Sequence, residues 1–214
     1  MKEILSVIFD LDGTLMKSDK TIFQSMLKAL KDIKIELNLS QNEFQQYIGL
    51  HFVDIFQALN IQVQNLDLFF EKYKTYYYKL INLTEIYPDV ENVLRTLYEK
   101  GIKISLLTTK SQEQADKIID YFGLRKYFSI VMGRRKGVQH KPSAEPINLI
   151  CSELGIAKEK TIMVGDTEMD IGAGKNAGVF TAAVSYGFRN KDELFNLNPD
   201  FIFENISEIL KIID

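Results

Sequence analysis

The sequence after residue 86 alternates short β-rich apolar runs with amphipathic helical stretches, and this alternation constrains the fold more than any other feature. Such alternation is typical of a parallel sheet with helices on both faces. A further apolar run near the start ends at an acidic loop and fits the same pattern. We therefore predict an α/β fold with a Rossmann-like parallel sheet, whose strands cover residues 4–9, 102–107, 129–132, 161–164, 179–184 and 200–203.

The segment between residues 21 and 83 is different, because it contains helical patterns and no convincing strand. Ile22, Met26 and Leu30 recur at helical spacing. Ser40 and Glu43 have the spacing of a capping box before another helix. This pattern predicts an all-helical domain of residues 16–85, inserted into a sheet domain formed by residues 1–15 and 86–214.

Composition limits the classes of protein that this chain can be. Of its 214 residues, 46% are hydrophobic and 26% are charged, a balance that supports a sizeable buried core. The formal net charge of −3 gives no general attraction to nucleic acid or to an anionic membrane. The only cysteine, Cys151, cannot form an internal disulfide, which favours a reducing compartment. Because no apolar run approaches about 18 residues, we expect a cytoplasmic protein that contacts neither membrane nor nucleic acid.

Carboxylates follow two of the predicted strands. Asp10 and Asp12 come directly after the first strand, and Asp166 and Asp170 follow the strand at residues 161–164. Ligands of open parallel sheets bind outside the carboxyl ends of the strands, so these four side chains are expected to converge. Clustered carboxylates repel one another unless a cation neutralises them, and a site of oxygen ligands suits Mg²⁺. The sequence therefore predicts a magnesium site.

Hydroxyl and ammonium groups accompany these carboxylates. Thr108 and Thr109 end the second predicted strand of the sheet domain, and Lys141 precedes a helix predicted over residues 142–154. A lysine is unfavourable at a helix N-terminus, and an anion held between it and the first-turn amides would account for its position. A carboxylate nucleophile, a hydroxyl donor, a lysine and Mg²⁺ together form a site suited to phosphoryl transfer.

These residues resemble the motifs of the haloacid dehalogenase-like hydrolases, in the order in which that family has them. Phe9-Asp10-Leu11-Asp12-Gly13-Thr14 resembles the first motif, Thr108 the second, Lys141 the third, and Gly165-Asp166-Thr167-Glu168-Met169-Asp170 the fourth. Other segments are similar to the phosphoglycolate phosphatase-like branch, and one of them also to a related inorganic pyrophosphatase. These segments are residues 140–146, 186–189 and 199–202.

The resemblance implies a role for each matching residue. Asp10 would be the nucleophile that forms an aspartyl-phosphate, and Asp12 would protonate the leaving oxygen and then activate water. The Asp10 carboxylate, the backbone carbonyl of Asp12 and Asp166 would hold Mg²⁺. The remaining implied roles are phosphate binding by Thr108, Thr109 and Lys141, and orientation of Lys141 or a metal-bound water by Asp170.

The resemblance also implies that the helical insertion is a small cap. Gly49, Leu50 and His51 interrupt its helices and are similar to the family's substrate-specificity loop, although an ordinary turn between helices is the alternative.

Two charged segments of the sheet domain are expected to have no role in catalysis. Arg134-Arg135-Lys136 is expected to form a solvated surface loop, and Glu168 to face solvent or cap the helix that follows it.

The expected function is Mg²⁺-dependent hydrolysis of a small phosphomonoester, phosphoglycolate-like or related. A phosphomutase and an inorganic pyrophosphatase remain alternatives, since both would use the same groups. A non-catalytic protein or a signalling phospho-acceptor domain is disfavoured, because Asp10 and Asp12 are both present and a receiver domain has no helical insertion after its first strand. The sequence leaves open whether the protein is a monomer or a homodimer.

Overall fold

The computed structural model describes residues 3–213. These residues divide into two compact units. The described residues up to Leu15, together with those from Ile86 onward, form the first, which we call the sheet unit. The second, Met16–Glu85, is called the helical unit.

The sheet unit is built on six parallel strands. Their order across the sheet is β5-β4-β1-β6-β7-β8, and all five neighbouring pairs are parallel, which confirms the predicted fold class. Two shorter strands, β2 and β3, form a separate two-stranded sheet. The strands are β1 (Ser6–Phe9), β2 (Met16–Lys17), β3 (Glu85–Ile86), β4 (Lys103–Ser111), β5 (Ile130–Arg134), β6 (Thr161–Gly165), β7 (Phe180–Val184) and β8 (Phe201–Phe203).

Helices separate these strands along the chain. The helical unit contains the first four, and the sheet unit contains the other five. They are α1 (Asp19–Asp32), α2 (Gln41–Gln45), α3 (Phe52–Ala58), α4 (Leu66–Lys79), α5 (Val90–Glu99), α6 (Gln112–Tyr121), α7 (Glu145–Leu154), α8 (Glu168–Ala177) and α9 (Lys191–Asn196). Short 3₁₀ helices cover Ile81–Leu83, Arg125–Tyr127, Lys158–Lys160 and Ile206–Lys211.

The central strand β1 is buried on both sides of the sheet. Ile8 belongs to an apolar cluster with residues of α7 and α8, among them Ile147 and Ala173. Val7 and Phe9 are also fully buried, and neighbouring side chains in a strand point to opposite faces. A strand covered on both faces explains the continuous apolar run that precedes Asp10.

Two element boundaries and the type of one helix differ from those predicted. Strand β4 continues through Thr108 to Ser111, so Thr108 lies within the strand and not after it. Helix α7 begins at Glu145 and not at Pro142, because Pro146 also fits the first helical turn and the sequence pattern does not distinguish the two prolines. The last helical segment, Ile206–Lys211, is a 3₁₀ helix.

The helical unit packs around aromatic side chains. Phe44, Phe69 and Tyr77 are fully buried, and Phe69 contacts Phe52 and Phe56 edge-to-face. The predicted capping box is present: the Glu43 N–H donates to Ser40 Oγ over 3.3 Å, and the Ser40 N–H donates to Glu43 Oε2 over 2.9 Å. Within residues 3–213, no helix combines the length and the apolar character that crossing a membrane requires.

Candidate active site

The loop after β1 brings Asp10 and Asp12 into a buried position. The Asp10 N–H donates to the Val164 carbonyl of the neighbouring strand over 2.9 Å, which fixes the start of the loop. Gly13 follows with a φ of +89°, and a Cβ at this position would overlap the Asp166 carboxylate and the Phe188 ring. Only glycine fits here, because the loop requires both a left-handed backbone and a close approach to Asp166.

Lys141 connects three elements of the site. Its Nζ lies 2.5 Å from Asp10 Oδ1, 2.5 Å from Asp170 Oδ1 and 3.1 Å from the Leu107 carbonyl oxygen. These contacts use all three N–H bonds of the ammonium group. Burial lowers the pKa of Lys141, but the attraction of the two carboxylates outweighs burial and raises it overall. The lysine is therefore a fixed cation.

The prediction that Lys141 stands at a helix N-terminus is wrong. It lies four residues before the first residue of α7, in the loop that follows β5. The carboxylates of Asp10 and Asp170 hold it there, so the burial of a lysine needs no anion bound to first-turn amides. Its expected proximity to Asp10 and Asp170 is nonetheless what the structure shows.

The two carboxylates after β6 are held by different donors. Asp166 accepts from the Thr14 hydroxyl at Oδ1 over 3.1 Å and from the Phe188 N–H at Oδ2 over 2.8 Å. Asp170 Oδ2 accepts from the N–H and the hydroxyl of Thr167, over 3.1 and 2.7 Å. Both carboxylates are fully buried, and their orientation is fixed.

Asp12 is paired with a residue that the sequence analysis did not single out. Lys110 Nζ lies 3.1 Å from Asp12 Oδ2, and both side chains are close to nine-tenths buried. The Lys110 N–H also donates to Thr108 Oγ1 over 3.3 Å. Strand alternation places residues two apart on one face, so a lysine two positions after Thr108 was the signal that could have identified it.

The charges of the site favour a divalent cation. Single oxygens of Asp10, Asp166 and Asp170 lie within 4.8 Å of one another. Burial and the neighbouring carboxylates raise the pKa of Asp10 to about 7, against the effect of Lys141, and burial raises the pKa of Asp166 well above its usual range. Four buried carboxylates, with Asp12 as the fourth, face two buried lysines, so two negative charges are unbalanced when all four carboxylates are ionised. Mg²⁺ prefers oxygen ligands and would balance this charge, so these residues fit the ion.

Glu168 is partly exposed at the first residue of α8, as expected, but it also forms an ion pair that the sequence did not indicate. Its carboxylate is bound by the Arg189 guanidinium, with Nε–Oε2 and Nη2–Oε1 distances of 2.8 and 2.9 Å. Arg189 is buried, whereas Glu168 is partly exposed. The sequence pattern did not indicate this ion pair, because the two residues are 21 positions apart and lie on different elements.

The remaining candidate residues of the sheet unit are Thr109 and the basic loop. Thr109 is half-buried on β4. Arg135 and Lys136 are exposed, as expected of a surface loop, whereas Arg134 is the last residue of β5 and half-buried, so its assignment to the loop was wrong. Arg135 is nevertheless anchored, because its guanidinium donates to Gln112 Oε1 over 2.9 Å and to the Val131 carbonyl over 3.3 Å.

Comparison with known proteins identifies the family. A family model described as haloacid dehalogenase-like hydrolase matches residues 7–184, which include both aspartate motifs, Thr108 and Lys141. The chain belongs to the haloacid dehalogenase-like hydrolases. It is thus a hydrolase of phosphate esters, and the resemblance found in its sequence is confirmed.

Individual relatives of this hydrolase match over nearly its whole length. A pyrophosphatase PpaX from Halalkalibacterium halodurans is 34% identical over 212 residues, which cover 99% of this chain and 97% of that protein. A phosphoglycolate phosphatase from Aquifex aeolicus is 34% identical over 213 residues, covering 97% and 96%. The structure of a predicted phosphoglycolate phosphatase from Haemophilus somnus is 28% identical, with a TM-score of 0.88 and 99% coverage of both chains.

The helical unit of this haloacid dehalogenase-like hydrolase contains the last three candidate residues. Gly49, Leu50 and His51 lie between α2 and α3, and Gly49 has a φ of +106°. The His51 ring stacks on Phe70 with 5.5 Å between centroids. A role of these residues in substrate specificity stays a prediction.

Proposed function

We propose that this chain is a Mg²⁺-dependent phosphatase that transfers the phosphoryl group of a small phosphorylated substrate to Asp10 and then to water. The observation that carries the proposal is the contact of a buried Asp10 carboxylate with Lys141 at 2.5 Å, inside a cluster that includes Asp166 and Asp170. A buried, cation-paired carboxylate at the carboxyl end of a central strand has the position that a nucleophile needs.

Asp10 attacks through the oxygen that does not contact Lys141. Lys141 binds Oδ1, so Oδ2 forms the new bond to phosphorus while the bond from phosphorus to the leaving oxygen breaks. Lys141 favours the anionic form of Asp10, which is the reactive form, and offsets the negative charge of the incoming phosphoryl group. Water then attacks the aspartyl-phosphate, and phosphate leaves with regeneration of the Asp10 carboxylate.

Asp12 transfers the proton in both steps. In the first step Asp12 acts in its protonated form and gives its proton to the leaving oxygen, and in the second step the resulting carboxylate takes a proton from the attacking water. The ion pair with Lys110 holds its carboxylate within the buried site. We infer this role from the match to the family motif and from the position of Asp12 two residues after the nucleophile.

The other groups bind the ion and the phosphoryl oxygens. Asp10, Asp166 and the backbone carbonyl of Asp12 would hold Mg²⁺, which, when bound, supplies positive charge next to the phosphoryl group. Asp170 orients Lys141 through the 2.5 Å contact between them. Thr108 accepts the Lys110 N–H at its hydroxyl oxygen, an orientation in which the hydroxyl hydrogen can donate to a phosphoryl oxygen. The amide of Thr109 is the second proposed phosphate donor.

Two substrate classes have support from the relatives. A pyrophosphatase and a phosphoglycolate phosphatase are each 34% identical to the chain over at least 97% of its length. Both substrates named in this way are small and anionic. The groups of the sheet unit bind a phosphoryl group and its ion, so discrimination between substrates is assigned to the helical unit, which we propose acts as a cap through Gly49, Leu50 and His51.

The function is tested by phosphate release from a panel of substrates, with and without Mg²⁺. The panel contains pyrophosphate, phosphoglycolate, several sugar phosphates and an activated aryl phosphate, and the Asp10→Asn variant is the control. We expect Mg²⁺-dependent release that the variant lacks, with one natural substrate preferred in kcat/KM. Conversion of a sugar phosphate to its isomer without phosphate release would instead identify a phosphomutase. Release that persists in Asp10→Asn would contradict the proposal.

A further inference from the structure

Glu168 and Arg189 form an ion pair, and each lies close in sequence to a residue of the proposed metal site. These residues are Asp166, a proposed ligand, and Phe188, whose N–H binds it. Glu168 follows Asp166 by two residues, at the first residue of α8. Arg189 follows Phe188, whose N–H donates to Asp166 Oδ2 over 2.8 Å. The pair therefore connects the segment that carries the metal ligand with the segment that orients it.

The loop from Ser185 to Asn190 passes directly beside Asp166. A Cβ at Gly187 would overlap the Asp166 side chain, so the backbone there is in close contact with the carboxylate. The first part of the loop is fixed by the Ser185 N–H, which donates to the Phe203 carbonyl over 2.9 Å, and by the Tyr186 hydroxyl, which donates to the Thr14 carbonyl over 2.8 Å. The Phe188 amide lies beyond these two anchors.

Arg189 anchors the loop on the other side of Phe188. Its guanidinium binds both Glu168 oxygens over 2.8 and 2.9 Å, a two-point contact that fixes orientation as well as distance. The Arg189 side chain is about nine-tenths buried, so solvent does not compete freely for it. With anchors before and after it, the Phe188 N–H is held in line with Asp166 Oδ2.

We propose that Glu168 and Arg189 are positioning residues that preorganise Asp166 for Mg²⁺ through the Phe188 amide. This inference rests on the proposed function, because it assigns Asp166 as a ligand. Each Asp166 oxygen accepts one hydrogen bond, from Thr14 or from Phe188, and keeps a lone pair for the ion. Loss of the ion pair would leave the Phe188 donor poorly aligned, and the hydrogen bond from Thr14 would then be the only one that orients the carboxylate. Such outer contacts change metal affinity about 10- to 100-fold in other metal sites.

The test measures Mg²⁺ affinity without substrate, from the rise of the melting temperature with Mg²⁺ concentration. Glu168→Gln keeps size and polarity and removes the charge, and Arg189→Met removes the two-point contact. We expect each substitution to raise the Mg²⁺ dissociation constant about tenfold. The double variant should bind Mg²⁺ as tightly as Arg189→Met does, because both lack the same contact. Arg189→Lys should recover part of the affinity. At saturating Mg²⁺, the kcat of each variant should return to within about threefold of the wild-type value.

A matched control separates positioning from general stability. Arg125 pairs with Asp116 and Asp120 over 2.6 and 2.9 Å in the same unit, and the three residues lie on and after α6. Arg125→Met should lower the melting temperature without changing the Mg²⁺ dissociation constant.

Two negative results have different meanings. If the unchanged chain binds Mg²⁺ and Glu168→Gln binds it equally well, within twofold, this inference is overturned while the proposed function stands. If the unchanged chain itself shows no Mg²⁺-dependent stabilisation, the proposed metal site fails, and the inference fails with it.

Discussion

Asp10 and Asp12 lie two residues apart, yet different lysines contact them. Lys141 binds Asp10 over 2.5 Å and Lys110 binds Asp12 over 3.1 Å. Two carboxylates this close would otherwise repel each other, and separate cations allow each to keep its own orientation. At the scale of the residue, this separation is compatible with the two proposed roles, attack by Asp10 and proton transfer by Asp12, which are inferred from the family motif.

The role of Asp12 is testable through the leaving group. Asp12→Ala should slow phosphorylation of the enzyme by about 10²–10⁴-fold for a substrate with a poor leaving group, because no acid then protonates its oxygen. An activated aryl phosphate needs less protonation, so its first step should be slowed much less. Rapid-quench single-turnover measurements give both rates. Equal losses for the two substrates would exclude Asp12 as the general acid.

The raised pKa of Asp10 predicts how pH affects the metal-free protein. Its folded value of about 7 exceeds the usual value near 4, so the folded protein binds this proton more tightly than the unfolded chain. The stabilisation is complete below pH 4 and is lost as pH rises towards 7 and beyond. Asp10→Asn is neutral at every pH, so its unfolding free energy at pH 8 should be higher than that of the wild-type protein.

Denaturant unfolding in the presence of a chelator measures this difference. The unchanged chain and Asp10→Asn should converge in unfolding free energy as pH falls from 8 to about 4. Asp54→Asn, at an exposed carboxylate of the helical unit, is the control and should show no comparable gain at pH 8. A lower stability of Asp10→Asn at pH 8 would show that the carboxylate is not destabilising there.

The sequence indicated some site residues and not others, for a physical reason. Asp10, Asp166 and Asp170 follow buried strands whose carboxyl ends meet at one edge, so their convergence was predictable. Lys110 lies inside β4, and its spacing of two from Thr108 marks a shared strand face but not the ion pair with Asp12, which only the structure shows. The Phe188 donor is a backbone N–H, which any residue type can supply, so only the structure identifies it.

At the scale of elements, the site depends on where strands end and helices begin. β4 reaches Ser111, four residues beyond the predicted boundary, because its last residues are polar and apolar periodicity no longer marks them. Apolar runs therefore predicted the strands well at their buried centres and less well at the edge where ligands bind. That edge is polar because the side chains proposed to bind the ion and the phosphoryl group lie there.

The close contact between the β1 loop and Asp166 gives a prediction about Gly13. Gly13→Ala must accept a φ of +89° and a Cβ that overlaps Asp166 and Phe188. We expect it to lower the unfolding free energy by about 2–4 kcal/mol. Gly101→Ala is the matched control, since its φ is +78° and no atom lies within 4 Å of its Cβ position, so the loss should be about 1 kcal/mol. Equal losses in denaturant unfolding would refute the steric account.

At the scale of the whole molecule, the sequence predicted the parallel sheet but not its strand order. Alternating helices and strands indicate crossover connections, whereas the side of the sheet that each new strand joins depends on packing between distant residues. β1 therefore lies between β4 and β6, which come much later in the chain. The role of the helical unit as a cap stays a prediction.

A substitution of His51 tests the proposed role of the helical unit as a cap. His51→Ala should change the ratio of kcat/KM values between natural phosphoesters by up to about tenfold. The kcat/KM for a small aryl phosphate should barely change. Gln64→Ala, an exposed residue of the same unit outside this loop, should change neither. Because His51 stacks on Phe70, melting temperatures must show that the unit remains folded. A uniform loss across substrates would favour an ordinary turn between helices.

The covalent step at Asp10 is the centre of this account, and trapping the intermediate tests it most directly. The Asp12→Ala variant, in which breakdown of the intermediate is slowed, is mixed with a substrate whose phosphoryl group is labelled and is quenched in acid within one turnover. A covalent mechanism at Asp10 predicts label on the peptide that contains Asp10, and no label when Asp10→Asn is added to the variant. Label on another residue, or release of labelled phosphate with none bound to the protein at any time, would contradict it.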